Sequence, residues 1–142
     1  MSIVFLLIPT LAMAGGDSTA CGEILRLNQI QVIGTHNSYH LRPQEPLFSQ
    51  VKAVYPSAKD WDYSHLPLEE QLANGVRSFE LDLYHTPTGF QVFHVPEYDK
   101  ESTCPLFLDC LEGVRRWSEE NPTHVPISFL LELKEEEAKY ST

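Results

Sequence analysis

Residues 67–84 read PLEEQLANGVRSFELDLY, and their hydrophobic period changes half-way. Up to Gly75 the pattern is helical. Pro67 opens it, Glu69 and Glu70 occupy the first turn, and Leu68, Leu72 and Val76 fall on one face. Gly75 is the natural stop. From Arg77 to Tyr84 the period is two: Phe79, Leu81 and Leu83 alternate with Glu80, Asp82 and Tyr84, which predicts a strand. A helix feeding directly into such a strand is the building unit of an α/β fold.

The same unit extends in both directions. Upstream, Gln29-Ile30-Gln31-Val32-Ile33 alternates and is rich in β-branched residues, so it predicts a strand running into Gly34. Residues 40–66 carry several Pro, aromatic and polar residues with no steady period. They read as a long loop of the kind that often carries function, with Trp61 and Tyr63 as its anchors. Downstream, Thr86-Pro87-Thr88-Gly89 is a turn and Phe90 to Val95 an extended return. Pro105 to Glu120 predicts a second helix with Leu106, Cys110, Val114 and Trp117 on one stripe, stopped by Asn121-Pro122. Ile127 to Leu133 is the most apolar strand. The order predicts α/β architecture with a parallel sheet. A strand as apolar as the last wants a neighbour on each side, so the expectation is the N-terminal part of a larger domain.

At 142 residues the chain is long enough for one domain with a core. A formal charge of -10 excludes the basic face that nucleic acid requires and a polybasic grip on anionic lipid. The surplus carboxylates serve solubility or gather around a cation. Ile3 to Ile8 is apolar, no charge occurs through Ala14, and Ala12-Met13-Ala14 has the small-x-small pattern of a signal-peptidase site. Residues 1–14 therefore read as a secretory leader, too short to span a bilayer, with the domain following from residue 22. The expected location is secreted or periplasmic. Cys104 and Cys110 are spaced for a local loop, leaving Cys21 odd.

The chemistry-bearing residues gather at strand ends. His36 and Asn37 follow the first strand. Glu80 and Asp82 project from one face of the second, and Glu132 and Lys134 from one face of the last. In a parallel α/β sheet those ends form one rim, where such folds build sites. Carboxylates facing one another resist joint ionisation, and a hard cation removes that cost. Calcium accepts such oxygens, with the Asn37 side-chain oxygen completing a set of Asn37, Glu80, Asp82 and Glu132. Magnesium prefers a stricter octahedron, and zinc does not favour so many oxygen donors. His36 and His94 flank the cation and suit acid–base work on a phosphodiester. Taken singly, Glu-x-Asp reads as a solvated strand face and Glu-x-Lys as a surface ion pair. His40, His65, His85 and His124 read as structural or surface residues.

Four blocks carry a family resemblance: Gly34-Thr35-His36-Asn37-Ser38-Tyr39, Gly75-Val76-Arg77-Ser78-Phe79-Glu80-Leu81-Asp82, Phe93-His94, and Phe129-Leu130-Leu131-Glu132-Leu133-Lys134. In this order they resemble the catalytic half of phosphoinositide-specific phospholipases C, nearest the secreted calcium-dependent bacterial-type branch. The resemblance implies a distorted (β/α)₈ barrel, of which this chain supplies the N-terminal half. It implies His36 as general base on the inositol 2-hydroxyl and His94 as general acid on the departing diacylglycerol oxygen. A 1,2-cyclic phosphate would be the first product. It further implies Asn37, Glu80, Asp82 and Glu132 as calcium ligands, and Lys134 as a phosphate contact or carboxylate partner. The substrate implied is a phosphoinositide or other phosphodiester lipid, met in transient contact with a membrane surface. Metal-independent relatives place an Arg where the cation would sit; Arg77 points away from Glu80 and Asp82 and does not suit that role. Glycerophosphodiester phosphodiesterases share a Glu-x-Asp pair but begin His-Arg-Gly where this chain has His36-Asn37-Ser38. A different class of reading is a non-catalytic half-barrel that binds calcium or a partner.

Overall fold

The computed structural model describes the backbone of residues 2–8 and all of residues 26–134. Its strands are β1 (Ser2–Ile8), β2 (Ile33–Thr35), β3 (Val76–Thr86), β4 (Gly89–Val92) and β5 (Ile127–Lys134). Its helices are α1 (Leu47–Val54), α2 (Leu68–Ala73) and α3 (Phe107–Glu120). The strands form one mixed sheet in the order β1-β5-β3-β2, with β4 also paired to β3. β2, β3 and β5 run parallel, and β4 returns antiparallel along β3 through the Thr86–Gly89 turn. The expected α/β architecture with a parallel sheet is present. The sheet is open, and no barrel closes among the described residues.

The period change at Gly75 is a sharp backbone event. α2 stops at Ala73, and Gly75 takes φ +95, in the left-handed region. Its N–H donates to the Leu72 carbonyl at 3.0 Å, which closes the helix end. A Cβ there would meet nothing within 4 Å, so a side chain is opposed by the backbone alone. Gly75→Ala is therefore expected to destabilise the fold by about 1–2 kcal/mol, read from denaturant midpoints. An unchanged midpoint would refute this account of the helix stop.

Val76 begins β3 and does not extend the α2 stripe; Leu68 and Leu72 bury that stripe alone. One face of β3, with Phe79, Leu81 and Leu83, joins Ile127, Phe129 and Leu131 of β5 beneath α2 and α3. Leu68, Leu72, Cys110 and Val114 cover it from the helices, with Trp117 packed at the margin. Leu106 caps α3 from outside and is exposed, so the second helix starts two residues later than its pattern suggests. The other face of β3 carries Glu80, Asp82 and Tyr84, and these too are buried. The solvated-face reading of Glu-x-Asp is thus wrong here: β3 lies inside the sheet, with strands along both of its edges.

Two further departures have local causes. The first parallel strand is only Ile33–Thr35, because residues 30–32 run past the end of β3 and find no ladder partner; Val32 and Ile33 stay exposed. The 40–66 loop is structured. It holds α1 and a 3₁₀ helix over Pro56–Trp61, which close a small core of Phe48, Val51 and Ala58 under Trp61. An eight-residue helix gives too few repeats for a visible period. Ser2–Ile8, read as the core of a leader, runs antiparallel to β5 from Leu133 back to Ile127. It takes the edge that the apolar β5 would otherwise leave open. The cleavage point at Ala14, Cys21 and the acidic run from Glu135 lie outside the described residues. Cys104 and Cys110 form a disulfide with Cα atoms 5.2 Å apart, fastening the segment before α3 to its first turn. No helix among the described residues is long and apolar enough to cross a membrane.

Candidate metal centre and its two histidines

β2 ends at Thr35, level with Phe79 on β3. The chain then turns through His36-Asn37-Ser38, with Asn37 at φ +46, a conformation Asn tolerates better than most residues. The turn is fastened to Glu80. The Asn37 N–H donates to Glu80 Oε2 at 2.6 Å and the Ser38 N–H to the Glu80 carbonyl at 3.0 Å. In return the Glu80 N–H donates to Ser38 Oγ at 2.9 Å. Gln71 Nε2 of α2 donates to the Ser38 carbonyl at 2.6 Å from below. Strand end, helix and neighbouring strand therefore fix one rigid corner.

Strand register completes the acidic cluster. Asp82 lies directly opposite Glu132 in the β3–β5 ladder, and Glu80 is two residues back on the same face. One carboxylate oxygen from each lies within 4.8 Å of the others. Asp82 is 1% exposed, and neither of its oxygens accepts a hydrogen bond. Lys134 Nζ stands 3.3 Å from Asp82 Oδ2, as an ion pair without hydrogen-bond geometry, and 3.0 Å from Glu132 Oε1. Burial, then the charge of Glu80, pushes Asp82 up to about 7, against the pull of Lys134. Burial also works against ionised Glu132, but Lys134 outweighs it and holds that carboxyl below its usual range. Lys134 is raised in turn: the two carboxylates outweigh its own desolvation.

A buried carboxylate that accepts no hydrogen bond, with Lys134 as its only ion-pair partner among the described residues, is costly to keep ionised. Its neighbours are oxygen donors: Glu80, Glu132, and Asn37, whose Oδ1 accepts from the Tyr39 hydroxyl at 3.3 Å. Tyr39 is buried, and burial followed by the charge of Asp82 raises its pKa, so its hydroxyl keeps its proton. An all-oxygen set of high negative charge fits a hard divalent cation, calcium before zinc.

His36 and His94 line one cavity of about 630 Å³ with Asn37, Trp61 and Tyr63. His36 is exposed on the cavity and directly precedes Asn37, whose N–H bonds Glu80 of the acidic cluster. His94 is half-buried. Its Nδ1 lies 2.7 Å from Asp99 Oδ2, and Trp61 packs edge-on against its ring at 5.4 Å. Asn37 belongs to both groups and links them. The structure thus assembles Asn37, Glu80, Asp82, Glu132 and Lys134 beside a cavity that holds both histidines. Arg77 lies elsewhere: its guanidinium donates to the Leu72 and Val76 carbonyls and sits over Trp117.

Sequence reasoning missed two residues that support His94. His40, read as structural or surface, is fully buried and bonds Asp99, which was not singled out at all. The spacing of His94 and Asp99 around Pro96-Glu97 is a turn that could have suggested their contact; nothing local links either to His40.

The family model described as Phosphoinositide phospholipase C, Ca2+-dependent matches residues 25–89 and 86–142. The chain belongs to that family. No curated protein and no solved structure matches it. The matched segments of this phospholipase C family contain every residue of the acidic cluster and both histidines.

Proposed function

We propose that the protein is a calcium-dependent phosphodiesterase that cleaves phosphoinositides by general acid–base catalysis. The observation that carries this reading is Asp82, a buried carboxylate without a hydrogen-bond partner, flanked by Glu80 and Glu132 beside a cavity lined by His36, His65 and His94. Asn37, Glu80, Asp82 and Glu132 would hold the cation. When bound, calcium supplies positive charge where negative charge builds on the phosphate. His36, exposed on the cavity, takes the proton from the inositol 2-hydroxyl. His94, across the same cavity, delivers a proton to the departing diacylglycerol oxygen, and a cyclic inositol phosphate results. The two then exchange roles as water opens the ring. Lys134 keeps the carboxylates from repelling one another and stands within reach of the same charge.

Family membership supports a phosphoinositide as substrate. β2, β3 and β5 lie side by side in chain order, with α2 and α3 packed together on one face. That singly wound arrangement suits the N-terminal part of a (β/α)₈ barrel, with the acidic face of β3 inside. The Cys104–Cys110 disulfide supports a secreted or periplasmic location. Transient membrane contact falls to α1, which leaves Leu47, Val54 and Tyr55 exposed and packs on the 3₁₀ helix ending at Trp61.

The test is turnover of phosphatidylinositol in detergent micelles by the full chain, followed by phosphorus NMR. A cyclic phosphate signal that appears with calcium and stops on chelation is the expected result. Calcium binding without hydrolysis of any phosphodiester would favour instead a non-catalytic calcium-binding module, a reading that the open sheet leaves standing.

A further inference from the structure

The cavity histidine His94 has a buried support. Asp99 is 1% exposed, and its carboxylate lies between two imidazoles. His40 Nε2 is 3.0 and 2.9 Å from its two oxygens, and His94 Nδ1 is 2.7 Å from Oδ2. Burial alone would raise this carboxyl, but its bonds to His40 and His94 outweigh that and hold it below the usual range. These short bonds occupy the atoms of the three side chains that face one another and leave His40 Nδ1 and His94 Nε2 outside them.

The backbone fixes the trio as firmly as the side chains do. The Val95 N–H donates to the Asp99 carbonyl and the Asp99 N–H to the Val95 carbonyl, both at 3.0 Å, which folds Asp99 back beneath His94. The Thr103 N–H donates to the Tyr39 carbonyl at 2.8 Å, and His40 bridges to Ser102. The disulfide then anchors Cys104 to α3. Tyr63 covers the His40 ring at 4.3 Å, and His40 meets the His94 ring edge-on at 5.9 Å.

His40 is fully buried and Nδ1 has no partner. Donation to Asp99 therefore comes from Nε2, and the ring offers the cavity nothing of its own. A side chain of this size would not be held with a buried unpaired nitrogen merely to fill space, since an apolar ring of the same shape would fit at lower cost. We propose that His40 is a positioning residue for His94. It clamps both oxygens of the Asp99 carboxylate, including the Oδ2 that His94 Nδ1 contacts; Asp99 then keeps one proton on His94 Nδ1, so that the proton given to the leaving oxygen is a second one, carried on Nε2. This rests on the reading of His94 as the general acid.

The test uses leaving groups of different strength. Departure of diacylglycerol needs a proton, whereas departure of p-nitrophenolate from a p-nitrophenyl inositol phosphate hardly does. His40→Phe keeps the shape and removes the donor. It is expected to lower kcat on phosphatidylinositol about 10- to 100-fold with little change in KM, and to leave p-nitrophenyl turnover within about twofold. His40→Gln, whose amide reaches the place of Nε2, is expected to recover most of the loss. His94→Ala calibrates the scale. If it shows no leaving-group dependence, the acid role itself is refuted and the positioning role falls with it. If it does and His40→Phe does not, only the positioning role is refuted. Long-range proton–nitrogen NMR gives a readout that needs no turnover: His94 should carry its proton on Nδ1 in the native chain and lose that preference in Asp99→Asn. A bare Nδ1 in the native chain would overturn the proposal.

Discussion

Replacing Asp82 by Asn is expected to abolish calcium binding and, at pH 8 without calcium, to stabilise the protein. Both effects follow from one buried carboxylate. Its pKa is raised to about 7 in the folded chain, first by burial and then by Glu80, against about 3.9 when unfolded. The folded state therefore holds the extra proton between those values. The stability this group contributes is fully present below the unfolded pKa and is lost as pH rises through about 7. The calcium-free native chain should thus weaken across that window, by on the order of 4 kcal/mol. Asn at 82 removes that part of the pH dependence, and thermal melts at pH 5 and pH 8 would show it. Calcium reverses the loss in the native chain, because it binds the folded form. Protons compete for the same oxygens, so calcium affinity should fall as pH drops through about 7. Calorimetry showing undiminished calcium binding by the Asn variant would remove the proposed centre from this site.

Replacing His36 by Ala is expected to cut turnover about 10²- to 10⁴-fold, the usual contribution of a general base. Unlike the loss of His94, this loss should be the same for a diacylglycerol and a p-nitrophenolate leaving group, since the base acts on the attacking hydroxyl. His36 is exposed, and among the described contacts only its backbone carbonyl takes a hydrogen bond, from His65 Nε2 at 3.0 Å. Stability should therefore change by no more than about 0.5 kcal/mol. Calcium affinity should stay within a few-fold. Retained activity on both substrates would refute the base assignment while leaving the metal centre untouched.

Much of the site could be read along the chain because it depends on local geometry. Glu80 and Asp82 share a face because a strand repeats every two residues. The helix stop at Gly75 follows from the freedom of glycine at positive φ. The short loop between Cys104 and Cys110 made their pairing readable as well. The aromatic wall of the cavity was harder. Trp61 and Tyr63 were visible as anchors of a long loop, but α1 and the 3₁₀ helix that position them are too short to show a period. The burial of Glu80 and Asp82 was not legible, because alternation shows two faces and does not say that both are covered.

The sequence by itself determined the order of β2, α2, β3, β4, α3 and β5, the α/β class, and the identity of the carboxylates and of His36 and His94 on the cavity. Those follow from hydrophobic period, backbone chirality and side-chain chemistry, which act within a few residues. Only the tertiary structure decided that Asp82 meets Glu132 across a ladder, that β1 takes the outer edge of β5, and that buried His40 reaches Asp99 beneath His94. Strand register and loop docking are set by backbone hydrogen bonds between segments dozens of residues apart, and no local pattern carries that information.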